Sequence, residues 1–319
     1  MKHPLKLTLL LITMFLISQL IGIAVIHNYS PQIKQITISS DNQTNINQTI
    51  NVSVYNLPYG MNPPQEATPN SSLISIMIAI AIGVVLIIGL MKIKAEMFIR
   101  LWFFAIITIA LGITINSFIQ NIPYSALIAL IISLPLSIIK VFKRNILVHN
   151  LTELLIYPGI AAIIVPLLNV NVSVLLLIFI SVYDVYAVWH AGFMQKMAKY
   201  QMNQVKVFGG LLVPYIRKGD RAILEKAREK SKKLLKKVKV SMAILGGGDI
   251  AWTMIFAGVV FSSLGLIPAL ITVIGTTLSL SALFYFSEKG RFYPAMPFLT
   301  AGCFISLGLV YLLQYIRAI

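Results

Sequence analysis

The sequence predicts an all-α, polytopic membrane protein with nine transmembrane helices. Hydrophobic residues make up 58% of the 319 residues and charged residues only 11%, whereas soluble domains carry about 45–50% and about 25%. The mean hydropathy is correspondingly high, at +0.85. The apolar residues form continuous runs of about 20, the length that a helix needs to cross a bilayer. Continuous runs favour helices over a β-barrel, whose strands alternate, and the composition excludes a single water-soluble core.

Nine apolar runs are bounded by polar or charged residues and give the candidate spans. They lie near residues 7–26, 72–91, 101–120, 124–139, 148–168, 172–192, 240–262, 266–286 and 293–315. The first run follows Lys2 and Lys6, as in a signal peptide. Its apolar part of about 20 residues exceeds the usual length of about 7–15, and no A-x-A site follows. We therefore expect it to be retained as a transmembrane helix.

The distribution of basic residues predicts the orientation of the chain. Lys and Arg number 26 against 10 Asp and Glu, which gives a formal net charge of +16. If nine spans alternate in direction, all the basic residues except Lys34 and Arg317 fall on one face of the membrane. The positive-inside rule makes that face cytoplasmic, with the N-terminus inside and the C-terminus outside. Topology thus accounts for much of the basic excess, and nucleic acid is not expected as a partner.

The spans form two membrane parts joined by a basic loop. Residues 1–192 hold six spans, residues 193–239 form a cytoplasmic loop, and residues 240–319 hold three spans. The loop at 27–71 is polar and expected outside, and it carries five N-x-S/T sequons, at Asn28, Asn42, Asn47, Asn51 and Asn70.

The basic loop has two distinct segments. Its apolar patch, Val205 to Ile216, is expected to be an interfacial loop, with a strand as the alternative. Its end, the run KAREKSKKLLKKVK, is expected to be either a basic helix on anionic lipid or a solvated charge run.

The carboxylates single out two residues for chemistry. Of the ten, seven fall in predicted loops or at their edges. Glu153 lies within about a turn and a half of the start of span five, where we expect it to reach the interface. Asp184 and Asp249 are flanked by apolar sequence, where an aspartate costs about 2.5–3.5 kcal/mol on insertion scales. Residues kept at such a cost are usually functional.

The two aspartates are predicted to lie at one depth. Asp184 is nine residues before the predicted cytoplasmic end of span six, and Asp249 nine residues after the predicted start of span seven. At 1.5 Å per residue, each lies roughly 14 Å from the cytoplasmic face. Two carboxyl groups brought close in a low dielectric tend to share one proton. One can then activate a water that attacks a peptide carbonyl while the other hydrogen-bonds the oxyanion, so neither metal nor cofactor is required.

The neighbours of both aspartates suit that chemistry. Gly246, Gly247 and Gly248 remove side-chain bulk and weaken the helix where a substrate backbone would approach, with helix packing as the alternative explanation. Tyr183 precedes Asp184, and its hydroxyl is placed to contact the pair or the substrate, with packing again as the alternative.

The other reactive side chains predict no further chemistry. The chain has one cysteine, Cys303, which excludes an internal disulfide framework, a Cys-rich zinc site and a CxxC redox pair. His190 is expected at the interface, and the remaining histidines form no ligand cluster with it: His3, His27 and His149.

These motifs resemble those of the presenilin and signal peptide peptidase family of GxGD intramembrane aspartyl proteases. Tyr183-Asp184 is similar to its YD motif, and the segment Gly246 to Asp249 is similar to its GxGD motif. Pro294-Ala295-Met296 resembles its PAL motif, with methionine in place of a leucine of similar volume. A literal Pro268-Ala269-Leu270 follows the second aspartate by 19 residues, near the predicted external end, and is taken as a chance match.

The resemblance implies a nine-helix presenilin-like bundle that forms one catalytic membrane domain. It implies that Asp184 and Asp249 are the catalytic dyad, with these motif residues beside the substrate: Tyr183, Gly246, Gly248, Pro294, Ala295 and Met296. The expected substrates are transmembrane proteins or peptides and signal-peptide remnants. A helical substrate must unwind locally before it is cut, and the unwound segment can add to an exposed backbone edge. The compact chain looks most like a microbial, archaeal-type homologue.

One alternative function is a proton- or cation-coupled transporter that uses the same aspartates, because paired membrane carboxylates and glycine-broken helices recur in transporters. A noncatalytic scaffold is a second alternative. Serine and zinc protease chemistry are disfavoured, since the sequence lacks a rhomboid-type G-x-S-x motif and an H-E-x-x-H motif. Membrane lipid is an expected partner, and the sequence does not predict an oligomeric state.

Overall fold

The computed structural model describes residues 5–38, 48–64, 69–143, 145–189, 200, 208–216, 240–287 and 293–318. Within these residues, nine helices are long and apolar enough to cross a membrane. They are α1 (Leu5–Asn28), α2 (Pro69–Lys92), α3 (Glu96–Ile119), α4 (Ser125–Ile138), α5 (Ile146–Ile164), α6 (Val170–Trp189), α7 (Gly247–Leu264), α8 (Leu266–Phe286) and α9 (Met296–Ala318). The predicted all-α class and the nine predicted spans are confirmed.

Two antiparallel hairpins accompany the helices. Strand β1 (Gln32–Ile38) pairs with β2 (Gln48–Val54) in the loop between α1 and α2. Strand β3 (Gly210–Ile216) pairs with β4 (Val240–Gly246), which leads directly into α7. The expectation of an interfacial loop over Val205 to Ile216 is therefore wrong for the part from Gly210 onward, and the strand alternative is correct there.

The predicted start of span seven at residue 240 is also wrong. Residues 240–246 form β4, and the helix begins at Gly247. Pairing with β3 satisfies the backbone groups of the strand, and Gly246, a residue of poor helix propensity, ends the strand and caps the helix. A glycine-rich apolar run bordering a helix cannot be separated from that helix by hydropathy alone.

The other predicted spans agree with the observed helices within a few residues. Helix α3 begins five residues before its prediction, with Glu96 in its first turn, where a carboxylate suits the helix dipole. Helix α4 continues as a π-helical turn, Ile139–Lys143, and α5 as a 3₁₀ turn, Val165–Leu167. The described part of α6 ends at Trp189, so its predicted end at residue 192 lies outside the described residues.

The core lies between α1, α5, α6, α7 and α9. Helix α1 packs against α5, α7 and α8, and α6 packs against both α7 and α9. Fully buried large side chains such as Phe15, Leu176 and Phe256 belong to one cluster shared by α1, α6 and α7. Helix α2 contributes least to the core, since none of its most apolar 18 residues is buried. The central helices α6 and α7 carry the two membrane aspartates.

A polar cluster ties the end of α1 to α3 at the predicted external face. The Tyr29 hydroxyl donates to the carbonyl oxygen of Ile113 (2.8 Å) and accepts from Nδ2 of Asn116 (2.9 Å). Nδ2 of Asn28 donates to the carbonyl oxygen of Ser117 (3.0 Å). Burial is the largest influence on Tyr29 and raises the pKa of its hydroxyl to about 12. The cluster therefore depends on an un-ionised tyrosine.

Candidate active site

Asp184 lies in α6, five residues before the last described residue of the helix, and only 6% of its surface is exposed. Its Oδ2 accepts a hydrogen bond from the backbone N–H of Met296 (3.1 Å), and the N–H of Ala295 donates to the same carboxyl group. Both donors lie where α9 begins, and the first N–H groups of a helix have no partner within it. The start of α9 thus offers donors and a partial positive charge to Asp184.

Asp249 is the third residue of α7 and is partly buried. Its carboxyl group accepts a hydrogen bond from the backbone N–H of Gly246, the residue that caps the helix. A side chain at the third helical position that reaches back to the cap is the second half of a capping box. The expectation that Asp249 lies nine residues inside its helix is therefore wrong, because the helix begins seven residues later than predicted.

The structure brings the two aspartates near each other. Helices α6 and α7 are in contact, and the charge of Asp184 acts on Asp249. The predicted equal depth rested partly on counting residues 240–246 as helix. These residues are a strand, which rises about 3.3 Å per residue instead of 1.5 Å, so the depth obtained by counting helical residues does not apply to Asp249. The two carboxyl groups are nevertheless near enough for the charge of Asp184 to act on Asp249.

The three glycines before Asp249 have three different surroundings. A Cβ at Gly246 would lie 3.0 Å from Oδ2 of Asp249. A Cβ at Gly247 would overlap the hydroxyl of Tyr157. A Cβ at Gly248 would meet nothing within 4 Å apart from its chain neighbours and the nearby helix backbone, and this residue is exposed. Gly247 is therefore explained by packing within the chain, whereas Gly248 borders open space beside the aspartate.

The remaining predicted site residues lie around Asp184. Tyr183 is partly buried, and the charge of Asp184 acts on its side chain. Pro294 is buried just before the first turn of α9, where a proline costs no helical hydrogen bond. Pro268-Ala269-Leu270 lies instead in the first turn of α8, where Ala269 is fully buried in a cluster with α1 and α7.

Sequence reasoning missed a buried polar group on α5. Glu153 was expected at the interface, but it is 2% exposed and forms an ion pair with the 4% exposed Lys140. It also accepts hydrogen bonds from the Tyr157 hydroxyl and from the N–H of Gly210. The expectation is wrong because β3 covers this end of α5. The spacing of His149, Glu153 and Tyr157, four residues apart on one helical face, was the signal in the sequence.

Gly210 is a second residue that the sequence did not single out. Its φ of +143° is a conformation that favours glycine, and a Cβ there would overlap the carbonyl oxygen of Leu245. Within a strand, an isolated glycine often marks a close backbone approach. Gly210, the second glycine of the pair Gly209-Gly210 in the middle of the apolar patch, carries that signal.

Several expectations fall outside the described residues. They concern His190, the beginning of the apolar patch at residues 205–207, the basic run KAREKSKKLLKKVK, and the sequons at Asn42 and Asn47.

The chain is similar to known proteases in sequence and in structure. The family described as signal-peptide peptidase, presenilin aspartyl protease matches residues 46–316. Two solved structures, both titled as a presenilin family intramembrane aspartate protease, one in the C222 space group and one in P2, share the fold. The first is 18% identical with a TM-score of 0.58, covering 96% of this chain and 99% of the other. The second is 18% identical with a TM-score of 0.56, and the match covers 95% of this chain and 96% of the other.

No curated protein matched the chain. The matching family and both solved structures are those of proteases, and they give no support to the transporter alternative.

Proposed function

The chain belongs to the signal-peptide peptidase and presenilin family of aspartyl proteases, and from this premise we infer that Asp184 and Asp249 together hydrolyse peptide bonds within transmembrane segments. The observation that carries the proposal is the convergence of three sequence motifs in one region. The Tyr183-Asp184 segment meets the start of α9 through the Met296 N–H, and Asp184 acts electrostatically on Asp249. This convergence supports the assignment of the pair within a protein that crosses the membrane many times.

The proposed reaction uses one carboxylate as a base and the other as an acid. The ionised member of the pair takes a proton from a water molecule, whose oxygen attacks the peptide carbonyl carbon. The protonated member donates a hydrogen bond to the carbonyl oxygen as it becomes negatively charged. Transfer of a proton to the amide nitrogen then breaks the C–N bond and releases an amine and a carboxylic acid. The pair requires no covalent intermediate.

The open edge of β4 supports a way of holding the substrate. The Gly247 N–H donates to the carbonyl oxygen of Gly209 (3.2 Å), so these two residues form a hydrogen-bonded pair. Because such pairs alternate in an antiparallel ladder, the backbone groups of Met242 and Ile244 point away from β3. Within the described part of the chain, β4 pairs with β3 alone, and Ile244 is 38% exposed. We propose that an unwound substrate segment pairs along this edge, next to Asp249.

Purified protein in detergent, mixed with a single-span membrane substrate, provides the test. We expect two products whose masses sum to the substrate plus one water, and their formation should stop with an aspartyl protease transition-state analogue. A matched set of proteoliposomes tests for proton-coupled uptake. Uptake that persists in the presence of the analogue, together with an uncut substrate, would overturn the protease proposal in favour of a transporter.

We further propose that the N-terminus is cytoplasmic and the C-terminus external, as the basic residues indicate. The only cysteine, Cys303, is buried, so introduced cysteines can report the two faces. In sealed cells, a membrane-impermeant maleimide should label Pro64→Cys and spare Lys143→Cys until the membrane is opened. The reverse pattern would contradict the orientation.

A further inference from the structure

Helix α5 presents a row of polar side chains to β3. His149 and Glu153 are 8% and 2% exposed, and Asn150 between them is partly buried. Such groups are costly to bury unless they are hydrogen-bonded. All three of these side chains contact backbone groups of β3.

The contacts occupy alternate residues of the strand. Oε2 of Glu153 accepts from the Gly210 N–H (3.0 Å), and Nε2 of His149 contacts the Gly210 carbonyl oxygen (2.8 Å). Two residues on, Oδ1 of Asn150 accepts from the Leu212 N–H (3.0 Å), and its Nδ2 donates to the Leu212 carbonyl oxygen (2.8 Å). Asn150 thus pairs with Leu212 as a backbone residue of a neighbouring strand would.

These side chains take the edge of β3 that β4 does not use. Since Gly209 and Gly247 form a hydrogen-bonded pair, Leu211 and Val213 also face β4 in the ladder. Gly210 and Leu212 then point the other way, toward α5. Helix α5 therefore closes one edge of the hairpin, and among the described residues no strand pairs with the outer edge of β4.

The same row is connected to Asp249. Glu153 accepts a hydrogen bond from Tyr157, and the Tyr157 hydroxyl lies against Gly247, two residues before the aspartate. The carbonyl oxygen of Gly209 holds the Gly247 N–H from the other side. A shift of β3 along α5 would therefore move the start of α7.

We propose that Asn150, Glu153 and His149 are positioning residues that fix the height and register of the β3–β4 hairpin relative to Asp249, and so select which substrate bond is cut. This proposal rests on the proposed function of the hairpin as the substrate holder. The buried ion pair between Lys140 and Glu153 would not by itself require the bidentate contact of Asn150, because both hydrogen bonds of that amide go to Leu212. His149 lies 4.0 Å from Glu153, and its Nε2 also contacts the carbonyl oxygen of Gly210.

The first test compares Asn150→Leu with Thr152→Val. The leucine removes both contacts to Leu212 while keeping the number and branching of the side-chain heavy atoms. Thr152 is fully buried on the same helix, but its hydroxyl donates only to the carbonyl oxygens of Val148 and His149. We expect Asn150→Leu to spread cleavage over neighbouring bonds, seen by mass spectrometry, and to lower kcat at least about 10-fold with a smaller change in KM. Thr152→Val should keep the wild-type cleavage position.

A second test compares two double variants, each of which removes both charges of the Lys140–Glu153 ion pair. Lys140→Met/Glu153→Gln keeps an acceptor for the Gly210 N–H, whereas Lys140→Met/Glu153→Leu does not. The glutamine variant should keep the wild-type cleavage position, and the leucine variant should lose it. Equal cleavage patterns in the two variants, or a wild-type pattern in Asn150→Leu, would overturn the proposal.

Amide hydrogen exchange distinguishes a failure of the positioning proposal from a failure of the proposed proteolytic function. Residues 208–216 and 240–247 should exchange at least about 10-fold faster in Asn150→Leu than in Thr152→Val, whether or not the chain cuts any substrate. If the wild-type chain cuts nothing while exchange rises as expected, the proteolytic function fails and the positioning contacts stand. If the wild-type chain cuts its substrate while exchange is unchanged, the positioning proposal fails alone.

Discussion

The backbone N–H of Met296 donates to Oδ2 of Asp184 across 112 residues of sequence. The donor belongs to the first turn of α9, and the acceptor lies five residues before the last described residue of the membrane helix α6. A carboxyl group in this position is held by free N–H groups at a helix start, where the helix dipole favours negative charge. The contact links the proline-containing segment at the start of α9 to an aspartate on another helix.

Removing the Met296 N–H should impair catalysis. Met296→Pro deletes this donor at a position near the helix start that tolerates proline. A hydrogen bond to a charged group contributes about 1.5–3 kcal/mol, so we expect cleavage to slow by about 10- to 100-fold. Initial rates on a labelled single-span substrate provide the measurement.

The control for this change is Met296→Leu, which keeps the N–H and has a similar volume. It should cleave within about threefold of the wild-type rate. If Met296→Pro remains folded and cleaves as fast as Met296→Leu, the contact with Asp184 does not contribute to the reaction.

Adjacent glycines should respond differently to the same substitution. Gly247→Ala places a Cβ on the buried Tyr157 hydroxyl, and overpacking of this kind costs about 1–3 kcal/mol of stability. The methyl group of Gly248→Ala meets no atom within 4 Å apart from those of its chain neighbours and the nearby helix backbone. The substitution should raise stability slightly, because alanine is the better helix former. It should nevertheless slow cleavage, because the methyl group would occupy space beside Asp249 that the substrate needs.

Thermal unfolding in detergent and initial cleavage rates separate these two effects. Loss of activity without loss of stability is expected for Gly248→Ala alone. An unchanged melting temperature for Gly247→Ala would contradict the packing against Tyr157, and an unchanged rate for Gly248→Ala would contradict an approach of the substrate at this point.

The polar cluster around Tyr29 predicts a loss of stability at alkaline pH. The pKa of Tyr29 is raised by burial to about 12, whereas an unfolded tyrosine ionises near pH 10. The un-ionised hydroxyl therefore contributes stability that is complete below about pH 10 and is lost as the pH rises toward about 12. At pH 8, Tyr29→Phe should cost about 1–3 kcal/mol, because Ile113 and Asn116 lose a partner.

The measurement is the difference in unfolding free energy between the wild type and Tyr29→Phe at pH 8 to 12. We expect this difference to shrink as the pH rises. Tyr124→Phe serves as the control, because Tyr124 is 80% exposed and loss of its hydroxyl should cost little stability at pH 8. If the difference in unfolding free energy between the wild type and Tyr29→Phe stays constant with pH, burial does not raise the pKa of the Tyr29 hydroxyl.

Much of the fold could be predicted because its main signal is local. A run of about 20 apolar residues specifies a membrane helix without reference to the rest of the chain, and α8 begins and ends where its run does. Asp184 and Asp249 were likewise identifiable as carboxylates in apolar sequence. The segment Pro294 to Met296 was identified by its similarity to a known motif, and its contact with Asp184 emerged only from the structure.

The features that were missed depend on pairing between distant segments. Strand β4 reads as the beginning of a helix until β3, some 30 residues earlier, is placed beside it. Glu153 reads as interfacial until β3 covers it and Lys140 neutralises it. The periodicity of the sequence cannot identify these packing partners, β3 and Lys140, because hydropathy reports how apolar a segment is and not what it packs against.

Asp184 and Asp249 are proposed to act as one unit on a single water molecule. The most direct measurement is the cleavage rate of Asp184→Asn, Asp249→Asn and the double variant, each shown to be folded by its melting curve. The effects of substituting residues that act as a unit are not additive. Each single variant should therefore lose all measurable cleavage, and the double variant should be no worse. Retained cleavage in either folded single variant would contradict the claim.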